Sequence, residues 1–252
     1  MNLLLGFLYK ELKILFSYKF HSLLKLFSLI FQIVIFYYLC SLISEEYFKF
    51  LFLGLLFSRI IYYVLSSLIE SIKQEQYWGS FNLLLMLPYK EIKLFFIIFL
   101  SKILFLFLEI TLYFLISTFL SLKINFLQIL FVYVYTIFTI SISLGYTFLI
   151  CSLSIFIKKS ESIGWLLSAL LDLLSGVYFK TELLPQPLYS ISKILPTTYM
   201  LNFLRESLLH NKYNFSILVY PTLVGILFLP FSIIVLNKVI LKTLVRGDLS
   251  SY

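Results

Sequence analysis

The sequence predicts an all-α polytopic membrane protein. Three observations carry that class. Of the 252 residues, 61% are hydrophobic and only 13% are charged, against roughly 25% charged in an ordinary soluble domain. The mean hydropathy is +1.01. The apolar residues fall in long runs separated by short polar stretches, more apolar surface than one core can bury in water. At roughly 20 apolar residues per span, the length suits six spans within a single transmembrane domain, 1–252.

Residues 2–21 read as an amphipathic helix lying on the membrane. Gly6, Lys10, Lys13, Ser17 and His21 fall on one face, and Leu5, Leu8, Leu12, Leu15 and Phe16 on the other. The apolar start Leu3 to Leu8 is too short for a secretory signal, and no small-residue cleavage site follows. The spans are expected at about 24–44, 48–69, 94–121, 127–157, 163–179 and 215–237. Between the second and third lies a polar stretch with a short amphipathic segment at 74–87. Lys123 and Asn125 mark a tight turn, and Lys158-Lys159-Ser160-Glu161 is the next polar break. The fifth span leads into 180–213, where Pro185, Pro187 and Pro196 interrupt the helical pattern. The apolar content of 180–209 suggests short helices dipping into the outer leaflet, tolerable only where protein or water satisfies their backbone.

Charge sets the orientation. With the N-terminus inside, twelve Lys and Arg lie in inner segments and six in outer ones, so both termini are expected in the cytosol of a cytoplasmic (inner) membrane. The net charge of +8 is then a matter of topology and anionic headgroups, with no nucleic-acid partner. The cysteines, Cys40 and Cys151, form no Cys-x-x-Cys motif, and no metal site is expected.

Four charges fall inside expected spans: Arg59, Lys102, Glu109 and Asp172. Each is costly in hydrocarbon and must face protein or water. Arg59 and Glu109 stand at similar depth and suit a pair, with Asp172 the alternative partner for Arg59. Lys102 lies one heptad before Glu109, near enough to the inner leaflet to snorkel. These charges either order the helices or line a substrate pathway.

No catalytic constellation is visible. The two histidines are far apart, and there is no His-Glu-x-x-His, Gly-x-Ser-x-Gly or Walker loop. The chain is therefore expected not to be an enzyme, and any ATP it uses must be bound elsewhere. Two stretches are more informative. The inner one runs from Glu75 to Pro88. On a continuous helix, Glu75, Gly79, Asn82 and Met86 share one face, and Trp78, Phe81 and Leu85 form a bulky apolar stripe suited to a partner's groove. The outer one contains Ser175-Gly176, Phe179, Leu184-Pro185, Leu195-Pro196-Thr197-Thr198-Tyr199 and Arg205.

Together these stretches resemble the ABC-2 family of ATP-binding-cassette transporter permeases. Glu75, Gly79, Ser80, Leu84 and Pro88 match its Glu-x-x-x-Gly-Thr/Ser-x-x-x-Leu…Pro pattern. Ser175, Gly176, Phe179, Leu184, Pro185, Leu195, Pro196, Thr198, Tyr199 and Arg205 match its outer motif. Gln74 and Gln76 flank Glu75, where the family often has an arginine. The resemblance implies a dimer, with a second copy or a related permease, bound to two cytosolic ABC ATPase subunits that hold ATP and magnesium. It makes 74–87 the coupling helix, with Glu75, Trp78, Gly79, Phe81, Asn82 and Leu85 docking on the ATPase. It makes 180–209 a re-entrant outer gate, with Ser175, Gly176, Phe179, Pro185, Pro196, Tyr199 and Arg205. The expected function is export of a lipid-like, drug-like, peptide or glycan substrate by alternating access. The outer motif is closer to the drug, lipid and peptide exporters, while nineteen tyrosines keep a sugar path open. An ATP-independent secondary transporter or channel using the intramembrane charges is the alternative.

Overall fold

The computed structural model describes residues 3–120, 125–157 and 161–246. Among the described residues there are ten α-helices, two short 3-10 turns and no strand. The helices are α1 (Leu3–Ser17), α2 (Lys19–Ser41), α3 (Glu45–Tyr77), α4 (Phe81–Leu85), α5 (Glu91–Phe119), α6 (Phe126–Ile157), α7 (Glu161–Ser175), α8 (Gln186–Ile194), α9 (Pro196–His210) and α10 (Val219–Arg246).

The bundle is built around α3. Its N-terminus is capped by Ser44, whose side chain accepts from the Tyr47 N–H at 3.1 Å, satisfying one of the orphan donors of the first turn. It then runs 33 residues, about 50 Å at 1.5 Å per residue. It packs against α2, α5, α6, α7 and α9. In its most apolar stretch 78% of residues are buried, against 17% for α2 and 22% for the last long helix. The remaining apolar faces point outward, as a bundle in lipid requires. The chain is thus a multi-pass helical membrane protein, with five described helices, α2, α3, α5, α6 and α10, long and apolar enough to cross a bilayer.

Three expected elements differ from those observed. The first is the fifth span, 163–179. The helix there, α7, has 15 residues, about 22 Å, short of the roughly 30 Å hydrocarbon core. Gly176, with φ +78°, ends it before Val177. The second is the N-terminal helix, expected over 2–21. Tyr18 leaves helical geometry at φ −103°, ψ 54°, so Lys19 belongs to α2. The third is the 74–87 helix. The α3 helix continues through Glu75 to Tyr77, Gly79 turns the chain at φ +69°, and only Phe81–Leu85 is helical beyond it. The expected turn residue Lys123, the break at 158–160 and the tail beyond 246 lie outside the described residues.

Close backbone contact holds α6 to α10. A Cβ on Gly145 would meet the Leu229 nitrogen at 3.0 Å, and one on Gly225 would meet the Ile142 oxygen at 3.0 Å. Small residues at a helix crossing let backbones approach where lipid supplies no hydrophobic drive.

Candidate functional site

Two ends and the middle of α3 hold the residues singled out in the sequence. At the α3–α4 end, Gly79 acts as a helix stop. The Ser80 N–H donates to the Glu75 carbonyl at 2.9 Å, and the Gly79 N–H donates to the Gln76 carbonyl at 3.1 Å. That is the Schellman pattern, with glycine at the left-handed position. The turn reverses the chain and packs α4 back against the bundle, burying Phe81 to 2% exposure and also burying Leu84. Asn82 and Leu85 are half-buried, and Trp78 is exposed. The side chains presented outward are instead Tyr77 (84% exposed), Leu83 (67%) and Met86 (78%). The apolar surface at this end is therefore not the Trp78–Phe81–Leu85 stripe of a continuous helix. The break at Gly79 rotates Phe81 inward and Leu83 outward.

Glu75 is buried, accepting from Lys10 of α1 and from the Ser80 hydroxyl. The Lys10 ammonium also lies 5.3 Å from the centre of the Trp78 ring, within cation–π range. The next residue, Glu11, is buried and pairs with Lys102 of α5 at 2.7 Å. Two successive residues of α1 thus hold two different helices by ion pairs of opposite sense. Glu11 carries no signal in the apolar periodicity of the first segment. A charged partner for Lys102 was the missing clue, since an intramembrane ammonium needs one.

In the middle of the bundle, Arg59 Nε donates to Glu109 Oε2 at 2.7 Å. Asp172, the other partner considered for Arg59, instead accepts from the Ser58 hydroxyl at 2.6 Å. Arg59, Ser58 and Asp172 line one cavity of about 350 Å³, with Gln32, Tyr62, Tyr113, Trp165 and Tyr178 among its walls. Lys102 lies outside it. Ser58, Gln32 and the aromatic residues were not legible as site residues, because serine and tyrosine in an apolar run are ordinary helix occupants.

At the far end of α3, Gly176 repeats the Schellman turn. The Val177 N–H donates to the Asp172 carbonyl at 3.0 Å and the Gly176 N–H to the Leu173 carbonyl at 3.3 Å. Arg205 of α9 clamps the turn: its two terminal nitrogens donate to the Gly176 and Val177 carbonyls, each at 2.8 Å. Its guanidinium stacks 3.5 Å from the centre of the Phe50 ring on α3. A cation here also complements the negative end of the α7 dipole. Ser175 and Thr197 hydroxyls meet at 2.6 Å. Pro196 opens α9 at its first position, where no N–H is needed. Tyr199 OH donates to the Lys193 carbonyl at 2.8 Å. Ser175, Gly176, Pro196 and Arg205 are buried, Phe179 and Tyr199 half-buried, and Pro185 exposed. The turn leans on Gly54 of α3, where a Cβ would overlap the Val177 oxygen and approach Arg205 Nη2 to 2.8 Å. A lone glycine in an apolar run is a signal of such close approach, and it was available in the sequence.

No curated protein sequence matches the chain. A model of the ABC-2 type transporter family matches residues 3–209, from α1 to the end of α9, and so takes in both Schellman turns, the central cavity and the Arg205 clamp. The match covers well over half of the 252 residues, and the chain belongs to the ABC-2 type transporter family as a membrane-domain transport subunit.

Proposed function

We propose that this chain is the permease of an ATP-driven exporter of the cytoplasmic membrane, with α7 and its following turn as the sixth membrane-inserted element. Two copies, or this chain and a related permease, assemble with two ABC ATPase subunits that bind ATP and magnesium. The supporting observation is the α3–α4 turn. It presents Tyr77, Leu83 and Met86 outward, next to the polar run Lys73-Gln74-Glu75-Gln76 at the end of a helix too long for the hydrocarbon core. Exposed apolar side chains on a polar rim suit a protein groove. In this reading α4 is the coupling element, the cytosol lies on its side, and α8 and α9 form the outer gate.

The test is co-expression with a candidate cassette ATPase. Leu83→Glu and Met86→Glu, at exposed positions, abolish recovery of the complex while leaving the permease folded. Full complex formation and coupled ATPase activity in both variants overturn the assignment. The second reading, ATP-independent transport, is favoured by Asp172, which no cation pairs among the described residues. It requires transport by the chain alone in liposomes under an ion gradient.

A further inference from the structure

We propose that the cavity between α2, α3, α5 and α7 binds an amphipathic organic cation, with the Asp172 carboxylate as counter-ion and aromatic side chains among its walls. The inference deepens the permease reading and rests on it only in calling the bound molecule cargo.

The argument begins with charge. Two charged side chains, Arg59 and Asp172, line this place. Arg59 is spent on Glu109, at 2.7 Å, so that pair is neutral as a unit. Among the described residues Asp172 has only the Ser58 hydroxyl, at 2.6 Å. Arg205 of α9 is turned onto the Gly176 and Val177 carbonyls and is not among the cavity's lining residues. The wall therefore carries one uncompensated carboxylate when Asp172 is ionised.

Its position makes the charge harder to explain as structure. Asp172 stands in the last turn of α7, four residues before the Schellman glycine. A carboxylate there opposes the helix dipole. Glu75 stands in the same place relative to Gly79, yet it has the Lys10 ammonium to offset it. Asp172 has no equivalent among the described residues. A carboxylate in an apolar bundle is costly unless a cation or water meets it.

The remaining walls say which cation. Tyr62, Tyr113, Trp165 and Tyr178 line the same space. Aromatic faces attract ammonium-type ions and pack apolar bodies equally well. The volume of about 350 Å³ falls in the range of small-molecule sites, roughly 300–1,000 Å³. The Arg59 guanidinium shares the wall but is already paired with Glu109, so an anion would find that cation engaged and Asp172 set against it, and a neutral sugar would leave the carboxylate uncompensated. A positive head on an apolar body satisfies both the carboxylate and the rings. Trp165, one of the lining residues, is also exposed on the surface of the bundle, so its ring is within reach of a ligand from outside.

The test uses the full chain in phosphatidylcholine nanodiscs, with empty discs subtracted. The probes are tetraphenylphosphonium and tetraphenylborate, ions of like shape and opposite charge. Tetraphenylphosphonium binds saturably, tetraphenylborate does not, and Asp172→Asn weakens the cation by about tenfold or more, the scale of one charge contact. Asp172→Glu retains most of the affinity. The inference is overturned if the cation does not bind above empty discs, if the borate binds as tightly, or if Asp172→Asn leaves the affinity unchanged. The two-ion comparison needs no variant, so misfolding of Asp172→Asn does not leave the question open. Binding to the chain alone is also independent of ATPase recovery. A permease that assembles with its ATPase but ignores the cation loses this inference alone.

Discussion

Arg59 Nε and Glu109 Oε2 meet at 2.7 Å between the two central helices α3 and α5. Both side chains are largely buried, at 23% and 18% exposure. Removing one partner strands the other charge in an apolar interior, which costs about 3 kcal/mol or more. Replacing both with apolar residues of similar volume removes the desolvation penalty along with the attraction. Glu109→Leu and Arg59→Met are therefore each expected to lower the thermal midpoint in detergent markedly. Arg59→Met combined with Glu109→Leu recovers most of the loss. A double variant whose loss equals the sum of the two single losses would show that the pair has no direct coupling.

Gly54 sets the distance between α3 and the Gly176–Val177 turn. A Cβ there overlaps the Val177 oxygen, which is backbone and cannot rotate away. Gly54→Ala is expected to destabilise the fold by about 1–3 kcal/mol, the usual cost of overpacking. Gly6→Ala is the control, because nothing lies within 4 Å of its added methyl. Equal thermal midpoints for the two variants would remove the claim that α3 and the turn are in contact here.

Arg205 supports that turn through geometry as much as charge. Its planar fork reaches two carbonyls at once, each at 2.8 Å, and its central carbon sits 3.5 Å from the centre of the Phe50 ring. A lysine keeps the charge but presents one compact donor group and cannot stack in the same way. Arg205→Lys is expected to lose about 2 kcal/mol, most of what Arg205→Ala loses, since charged hydrogen bonds are worth roughly 1.5–3 kcal/mol each and are not additive. Hydrogen exchange at Val177 and Gly176 checks it. Both variants accelerate exchange there more than in α6. Full protection in Arg205→Lys would mean that charge alone holds the turn.

The sequence made the helical class readable because lipid leaves few options. Every backbone group must be satisfied internally, so hydropathy alone marks α2, α3, α5, α6 and α10. Pairing was partly readable for the same reason: a charge at Arg59 demands a partner, and Glu109 offered one at matching depth. Helix ends were harder. Glu75 to Leu87 has helical periodicity on both sides of Gly79, and periodicity is blind to the left-handed φ that breaks it. The same blindness lengthened the fifth span across Gly176. Of the central cavity only the charges Arg59 and Asp172 were readable, and not that they share one space. Ser58, Tyr62, Tyr113, Trp165 and Asp172 come from three helices, and only tertiary packing brings them together.

The last prediction concerns α1, which is anchored twice. Lys10 reaches Glu75 at the end of α3, and Glu11 reaches Lys102 on α5 at 2.7 Å. Because the two pairs have opposite polarity, exchanging Lys10 and Glu11 sets like charges against each other at both anchors. The double exchange Lys10→Glu with Glu11→Lys keeps composition, net charge and hydropathy unchanged. It is nevertheless expected to release α1 from the bundle. A cysteine at Phe7, which packs against the core, should then react with a water-soluble maleimide several-fold faster than in the parent. Adding Glu75→Lys and Lys102→Glu restores both attractions and should restore protection. If the exchange leaves the labelling rate unchanged, the ion pairs do not hold α1, and its apolar contacts alone must do so.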